Sequence, residues 1–217
     1  MITIKTFTFN PVAVNTCVLH DETGEAILID CGCVTPAEER QLGDYVSGHH
    51  LTVKRLLCTH LHFDHVLGNR FAERTYGVRP EAHLNDTLQL PPPEMQARFM
   101  HIAFPVTFAE ISNFLADGET IAFGRSELTA LHTPGHSPGS LCFHAPQDGF
   151  VIAGDVLFQG GIGRTDLWGG DNHILMTSIR ERLLTLPEHT TVYPGHGHPT
   201  TIRFEKQHNP YLETVRK

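Results

Sequence analysis

A short apolar run at residues 53–58, "VKRLLC", leads without a break into "THLHFDH" at residues 59–65. The run has the length and content of a buried strand. The seven residues after it hold three histidines and an aspartate, more metal-binding side chains than packing needs. A strand that delivers such a cluster at its end points to a fold with its site at strand ends, the habit of α/β architectures. Taken as extended chain, His60 and His62 are two apart and point to one side, so both can grip one ion. Asp64 and His65 then open a helix and face a second position. Imidazole and carboxylate are donors that zinc, iron and manganese accept.

The rest of the chain supplies the elements such a fold needs. "ITIKTFTF" alternates at its start and is rich in β-formers; "TCVLH" and "EAILID" follow, with a turn at residues 22–24, and the three read as an antiparallel opening. Thr35 caps a helix with Pro36 at its first position and Glu38 three residues after the cap, running to about His49. After Asp64, "HVLGNRFAERTY" places Val66, Leu67, Phe71 and Tyr76 at helical spacing and stops at Gly77. Residues 85–116 read as an insertion, a lid over part of a site, because "LPPPE" breaks the chain between apolar stretches. "ELTALHT", "SLCFHA" and "FVIAGD" are strands, a helix spans about 172–184, "TTVYP" is a strand, and a last helix lies near 202–207. Strands, helix, strand and helix, then the same again, imply two sheets packed face to face with helices outside. The expected fold is α/β, a four-layer α/β/β/α sandwich in one domain over residues 1–217.

Composition narrows function by exclusion. With 16 Lys and Arg against 24 Asp and Glu, the formal charge of -8 repels a phosphate backbone, so no nucleic acid partner is expected. No apolar run reaches the ~18 residues that a membrane span takes. The start lacks a basic region followed by an apolar core, so no membrane partner and a cytoplasmic location are expected. Cys17, Cys31, Cys33, Cys58 and Cys142 include no CxxC pair and read as free thiols. Of 16 histidines, His49, His50, His189 and His208 sit in polar surroundings and read as solvated. Composition leaves the oligomeric state open.

Further metal-binding side chains stand at the ends of later strands. "TPGHSPGS" puts His136 in a Gly/Pro turn after "LTALH", "AGDVLF" puts Asp155 at the end of "FVIAG", and "YPGHGHP" puts His196 after "TTVY". Small neighbours let the backbone approach closely. Each residue alone reads equally as a loop residue; their joint placement at strand ends raises them to candidates.

"THLHFDH" followed in order by His136, Asp155 and His196 resembles the metallo-β-lactamase superfamily over nearly the whole chain. The strings "HTPGHSPGS", "GDVLF", "IGRTDL" and "YPGHG" resemble its short, single-domain glyoxalase II-like hydrolases. The resemblance implies that His60, His62 and His136 bind a first metal ion, that Asp64, His65 and His196 bind a second, and that Asp155 bridges both. It implies two divalent ions, zinc first, with iron or manganese accepted by the same donors. Asp64 and Asp155 would orient the bridging hydroxide. Asp30, in "IDCG", and Thr59 would hold ligands in place by hydrogen bonds, Asp30 reading equally well as a plain turn carboxylate. His132 and His198 flank ligands without binding metal.

The reaction expected of such a site is hydrolysis of a small-molecule thioester, including a glutathione thioester such as S-lactoylglutathione. The leaving thiolate, with a pKa of about 8.5, needs little acid help. The chain departs from glyoxalase II in lacking room for its C-terminal helical domain. "GRTD" also stands where that family has a lysine and a tyrosine, so Arg164 and Asp166 either meet substrate or pair with each other. Sulfur dioxygenases of the superfamily carry a similar "GRTD" stretch, and His60, His136 and Asp155 alone suit a mononuclear iron persulfide dioxygenase. A lactonase or β-lactamase is a further alternative.

Overall fold

The computed structural model describes residues 1–102, 108–111 and 113–215. Strands β1 (Thr3–Phe9), β2 (Val14–His20) and β3 (Glu25–Ile29) run antiparallel, as their alternation and turn residues require. β4 (Thr52–Leu57), β5 (Pro80–Ala82) and β6 (Asn113–Phe114) add to them in parallel, giving one sheet in the order β1-β2-β3-β4-β5-β6. A second stretch supplies β7 (Thr120–Phe123), β8 (Ser126–His132), β9 (Leu141–Ala145), β10 (Phe150–Gly154), the small ribbon of β11 (Leu157–Phe158) and β12 (Gly161–Ile162), β13 (Thr191–Pro194) and β14 (Thr200–Thr201). Apart from the ribbon, these form the sheet β14-β13-β10-β9-β8-β7, parallel only at β10 and β13.

Alternation along each strand decides what lies between the sheets. Cys17, Leu19, Ile27, Ile29 and Leu57 of the first sheet meet Ile121, Leu128, Leu141, Phe143 and Ile152 of the second in one buried cluster. The residues between them face outward. Val18, Leu28 and Leu56 pack under Leu42 and Val46 of α1 (Pro36–Gly48), while Cys142, Val151 and Val192 pack under a helical layer carrying Leu175, Ile179 and Ile202. Both faces of each sheet are therefore covered, and β2 and β10 are buried on both sides, β10 with apolar residues throughout. The result is the expected four-layer α/β/β/α sandwich. Asp21, after β2, ties one end of the two sheets together, accepting bonds from the Thr23 amide and hydroxyl, the Arg125 amide and the Ser126 hydroxyl.

Helix α1 begins as its sequence requires, with Thr35 and Glu38 in a reciprocal capping box. The segment after Asp64 differs from one continuous helix: α2 (Phe63–Val66) stops, and α3 (Asn69–Tyr76) starts anew. The break lies where Gly68 presses on the loop after β3. Its amide donates to the Cys31 carbonyl at 2.7 Å instead of continuing the helical ladder. A Cβ at Gly68 would sit 2.6 Å from Cys33 Sγ and 2.7 Å from Cys31 Sγ.

The expected lid over 85–116 falls partly outside the described residues, at 103–107 and 112. Its described part forms α4 (Leu84–Gln89), α5 (Pro93–Phe99) and the edge strand β6, so its end belongs to the first sheet. The helix read at 172–184 is α6 (Asn172–Ser178) widened into a π-helical turn at Ile179–Leu183, and α7 (Ile202–His208) follows β14. Among the described residues no helix is long and apolar enough to cross a membrane. The ends of β3, β4, β10 and β13, and the turn after β8, open on one rim of the sandwich.

Candidate metal centre

All seven candidate donors meet at that rim. Ligand atoms of His60, His62 and His136 lie within 4.8 Å of one another, as do those of Asp64, His65 and His196, and those of His60, His65 and Asp155. His136 Nε2 stands 3.2 Å from His60 Nε2 and 2.9 Å from His62 Nδ1. Nitrogens bound tetrahedrally to one ion at ~2.05 Å would lie about 3.3 Å apart, close to this spacing. Asp64 Oδ2 is 3.2 Å from His196 Nε2 and 3.5 Å from His65 Nε2. Asp155 lies between the groups, with Oδ2 3.7 Å from both His136 Nε2 and His196 Nε2 and Oδ1 3.5 Å from His65 Nε2.

The outward nitrogens of four histidines are fixed by acceptors. His136 Nδ1 donates to the Arg164 carbonyl at 2.8 Å, His196 Nδ1 to the Ala13 carbonyl at 3.1 Å and His65 Nδ1 to Asp30 Oδ2 at 2.9 Å. The Thr59 hydroxyl donates to Asp30 Oδ2 at 2.6 Å, which leaves its lone pair for the Nδ1 proton of His60 at 3.1 Å. Asp30 Oδ1 also receives the Thr59 amide at 2.7 Å. One buried carboxylate thus fixes the Nδ1 side of both His60 and His65 and turns each Nε2 inward. Asp30 takes the left-handed conformation, φ 52°, to reach all three donors, while Thr16 holds its carbonyl from behind.

Charge at the rim is unbalanced. Burial and the surrounding imidazoles push His60 well below its ordinary pKa, and burial followed by His136 pushes His62 down to about 3. Burial opposes a charge on His65 and His196 too, but the adjacent carboxylates outweigh it and hold both above the ordinary histidine range. Burial would raise Asp64 and Asp155; the imidazoles beside them more than offset it, and both are held below the ordinary carboxylate range. Two carboxylates and five imidazoles gathered in a buried space, with His65 Nε2 and Asp155 Oδ1 lacking a hydrogen-bond partner among the described residues, make a donor set that fits divalent cations.

Sequence reasoning missed the residues that brace this cluster from the lid segment. Asp86, on α4, accepts from the Leu61 amide at 2.8 Å, the Ser137 hydroxyl at 3.0 Å and the Gly139 amide at 2.5 Å, joining the loop that carries His60 and His62 to the loop that carries His136. Gln96, on α5, receives the Phe63 amide and donates to the Leu61 carbonyl. Neither sits in a motif; the apolar residues around "LPPPE" gave the only signal that this segment meets the site. His132 stacks on His83 with ring centroids 4.0 Å apart and donates to the Pro138 carbonyl, away from the cluster, and His198 is exposed. Arg164 and Asp166 pair with each other through two parallel bonds of 2.7 Å, and Arg164 borders the cavity of about 270 Å³ that opens over His62, Asp64, His136 and His196.

The family model for the metallo-beta-lactamase superfamily matches residues 10–196, a span that takes in every donor described above. The chain belongs to the metallo-beta-lactamase superfamily. A probable metallo-hydrolase of Bacillus subtilis is 39% identical over 81% of this chain and 83% of its own length. The hydroxyacylglutathione hydrolase GloC of Haemophilus influenzae is 35% identical over 92% of this chain and 93% of its own. Two solved superfamily structures superpose closely. The B3 metallo-beta-lactamase BLEG-1 gives a TM-score of 0.86 with 33% identity, covering 97% of this chain and 100% of that one. TTHA1623 in a di-iron-bound form gives 0.83 with 34% identity, covering 96% and 100%.

Proposed function

We propose that this protein is a dinuclear metal-dependent hydrolase that cleaves thioesters, of the hydroxyacylglutathione hydrolase type. The observation that carries the reading is the pairing of two donor triads across one shared carboxylate. His60, His62 and His136 would hold one divalent ion, Asp64, His65 and His196 the second, and Asp155 both. A mononuclear iron site would use only part of this donor set. When bound, the two ions supply an acidified water and offset the charge that develops on the substrate carbonyl. Zinc is the first candidate for both positions; iron and manganese suit the same donors, and a similar protein is known in a di-iron-bound form.

The chain's own residues orient that chemistry. Asp30 and Thr59 hold Nδ1 of His65 and His60, so that each Nε2 is the nitrogen turned toward an ion. Asp64 and Asp155 present carboxylate oxygens from opposite sides and would fix the direction of the attacking water. Among the described residues bordering the cavity, no lysine, no tyrosine and no histidine outside the cluster is placed to protonate a leaving group. That favours a leaving group that departs as an anion, and a thiolate with a pKa of about 8.5 does so more readily than an amine. The likeness to a hydroxyacylglutathione hydrolase supports a glutathione thioester as the substrate to assay first.

Elemental analysis of protein purified without added metal, joined to hydrolysis assays on acyl-glutathione thioesters, tests the reading. Two equivalents of metal and thioester cleavage are expected. A single iron with persulfide-dependent oxygen uptake would overturn it in favour of a dioxygenase, and cleavage of lactones or β-lactams alone would overturn the thioester assignment.

A further inference from the structure

The wall of the cavity facing the donors is apolar and comes from three separate parts of the chain. Val12 projects from the β1–β2 hairpin, Met100 from the end of α5, and Leu167 and Trp168 from the loop between β12 and α6. Phe99, 63% exposed, meets Trp168 edge-on with ring centroids 5.1 Å apart. The Trp168 loop is braced: Gly169 adopts φ 69° and lies so close to Pro138 that a Cβ would come within 2.4 Å of its Cγ. Among the described residues bordering the cavity, Arg164 is the one arginine or lysine, and Asp166 already engages its Nε and Nη2. The cavity therefore offers little free positive charge to an anionic substrate arm and a large apolar surface to an uncharged one.

We propose that Trp168, backed by Phe99 and flanked by Met100, Leu167 and Val12, forms a subsite for an uncharged aromatic or aliphatic arm attached beside the scissile bond. It sets specificity at the same centre and rests on the hydrolase reading for its kinetic effects, but its binding does not depend on which bond is cleaved. An arm lying flat on the indole removes about 55 Å² of ring surface from water, which at ~25 cal/mol/Å² corresponds to about tenfold in affinity or kcat/KM.

Trp168 is the only tryptophan in the chain, so its fluorescence reports on this one place. Titration of the metal-loaded protein with phenylacetate, against acetate as the polar control, should change Trp168 emission at concentrations where acetate does not. Kinetics supply a second measurement. The ratio of kcat/KM for a phenylacetyl over an acetyl thioester of one thiol should fall about tenfold in W168A and return in W168F, which keeps an aromatic face. A matching series with one acyl group and a benzyl or a methyl thiol tells which arm the subsite takes. An unchanged ratio in W168A for both series, or equal emission responses to phenylacetate and acetate, overturns the proposal. Should no thioester be cleaved, the hydrolase reading fails while the fluorescence titration still decides the subsite.

Discussion

Asp30→Asn tests the electrostatic core of the site with the smallest steric change. Asparagine tolerates the left-handed backbone that Asp30 adopts, and the side chains have the same shape. Asp30 is 1% exposed and accepts three bonds of 2.6–2.9 Å from the Thr59 hydroxyl, the Thr59 amide and His65 Nδ1. An amide keeps one acceptor. With its NH2 at the Oδ2 position it opposes the Thr59 hydroxyl and the His65 N–H; the hydroxyl can turn, but His65 must move its proton to Nε2, toward the metal. Turned the other way, it opposes the Thr59 amide, which has no second tautomer. The first outcome turns the His65 proton toward the metal position, the second leaves the buried Thr59 amide unsatisfied, and both remove a charge-assisted bond, a cost of about 2–3 kcal/mol. Loss of such outer support lowers metal affinity by roughly 10–100-fold, or about 1.4–2.8 kcal/mol. Zinc titration in competition with a chromophoric chelator, beside urea unfolding of the metal-free protein, should show metal binding weakened by that factor and stability lowered by about 2–3 kcal/mol. Two sites at wild-type affinity together with wild-type stability would refute the assignment of these bonds.

Other perturbations separate the parts of the structure. Thr59→Val cuts the relay to His60 but leaves the bond from Asp30 to His65, so metal affinity should fall less than in Asp30→Asn, which the same chelator competition measures. Asp86→Ala leaves two buried amides and a hydroxyl without their acceptor and should lower stability by about 3 kcal/mol in urea unfolding. Gly68→Ala forces a methyl group against Cys31 and Cys33 and should cost about 1–3 kcal/mol, read as a lower Tm in calorimetry. Burial raises the Asp21 carboxyl, but its four hydrogen bonds outweigh this and hold it well below the ordinary carboxylate range. Its stabilisation is therefore present above the unfolded pKa of about 3.9 and is lost as pH falls toward the folded value; the stability gap between wild type and Asp21→Asn should narrow over that interval. Removing metal with a chelator should lower Tm, since ions that bind only the folded chain stabilise it by mass action.

Local physics made much of this protein legible in its sequence. The 2-residue spacing that puts His60 and His62 side by side, the capping box at Thr35 and the antiparallel opening of β1–β3 each depend on neighbours a few residues away, and the structure has all three. Strand-end placement also singled out His136, Asp155 and His196, because turns rich in glycine and proline are written in short strings. The break at Gly68 was not legible, since helical spacing continues through it and only the approach of Cys31 and Cys33 from 35 or more residues away stops the helix. Asp86 and Gln96 read as ordinary residues in a broken segment; their partners at Leu61, Phe63 and Gly139 lie 25 to 53 positions distant. The same holds for the meeting of Phe99 with Trp168. Sequence determined which side chains are candidates for metal binding and which elements present them, because those are properties of short stretches. Tertiary structure decided which candidate donors stand around Asp155, which acceptor faces each outward imidazole nitrogen and what surface lines the cavity, because each of these is a contact between segments that only the packed sandwich brings together.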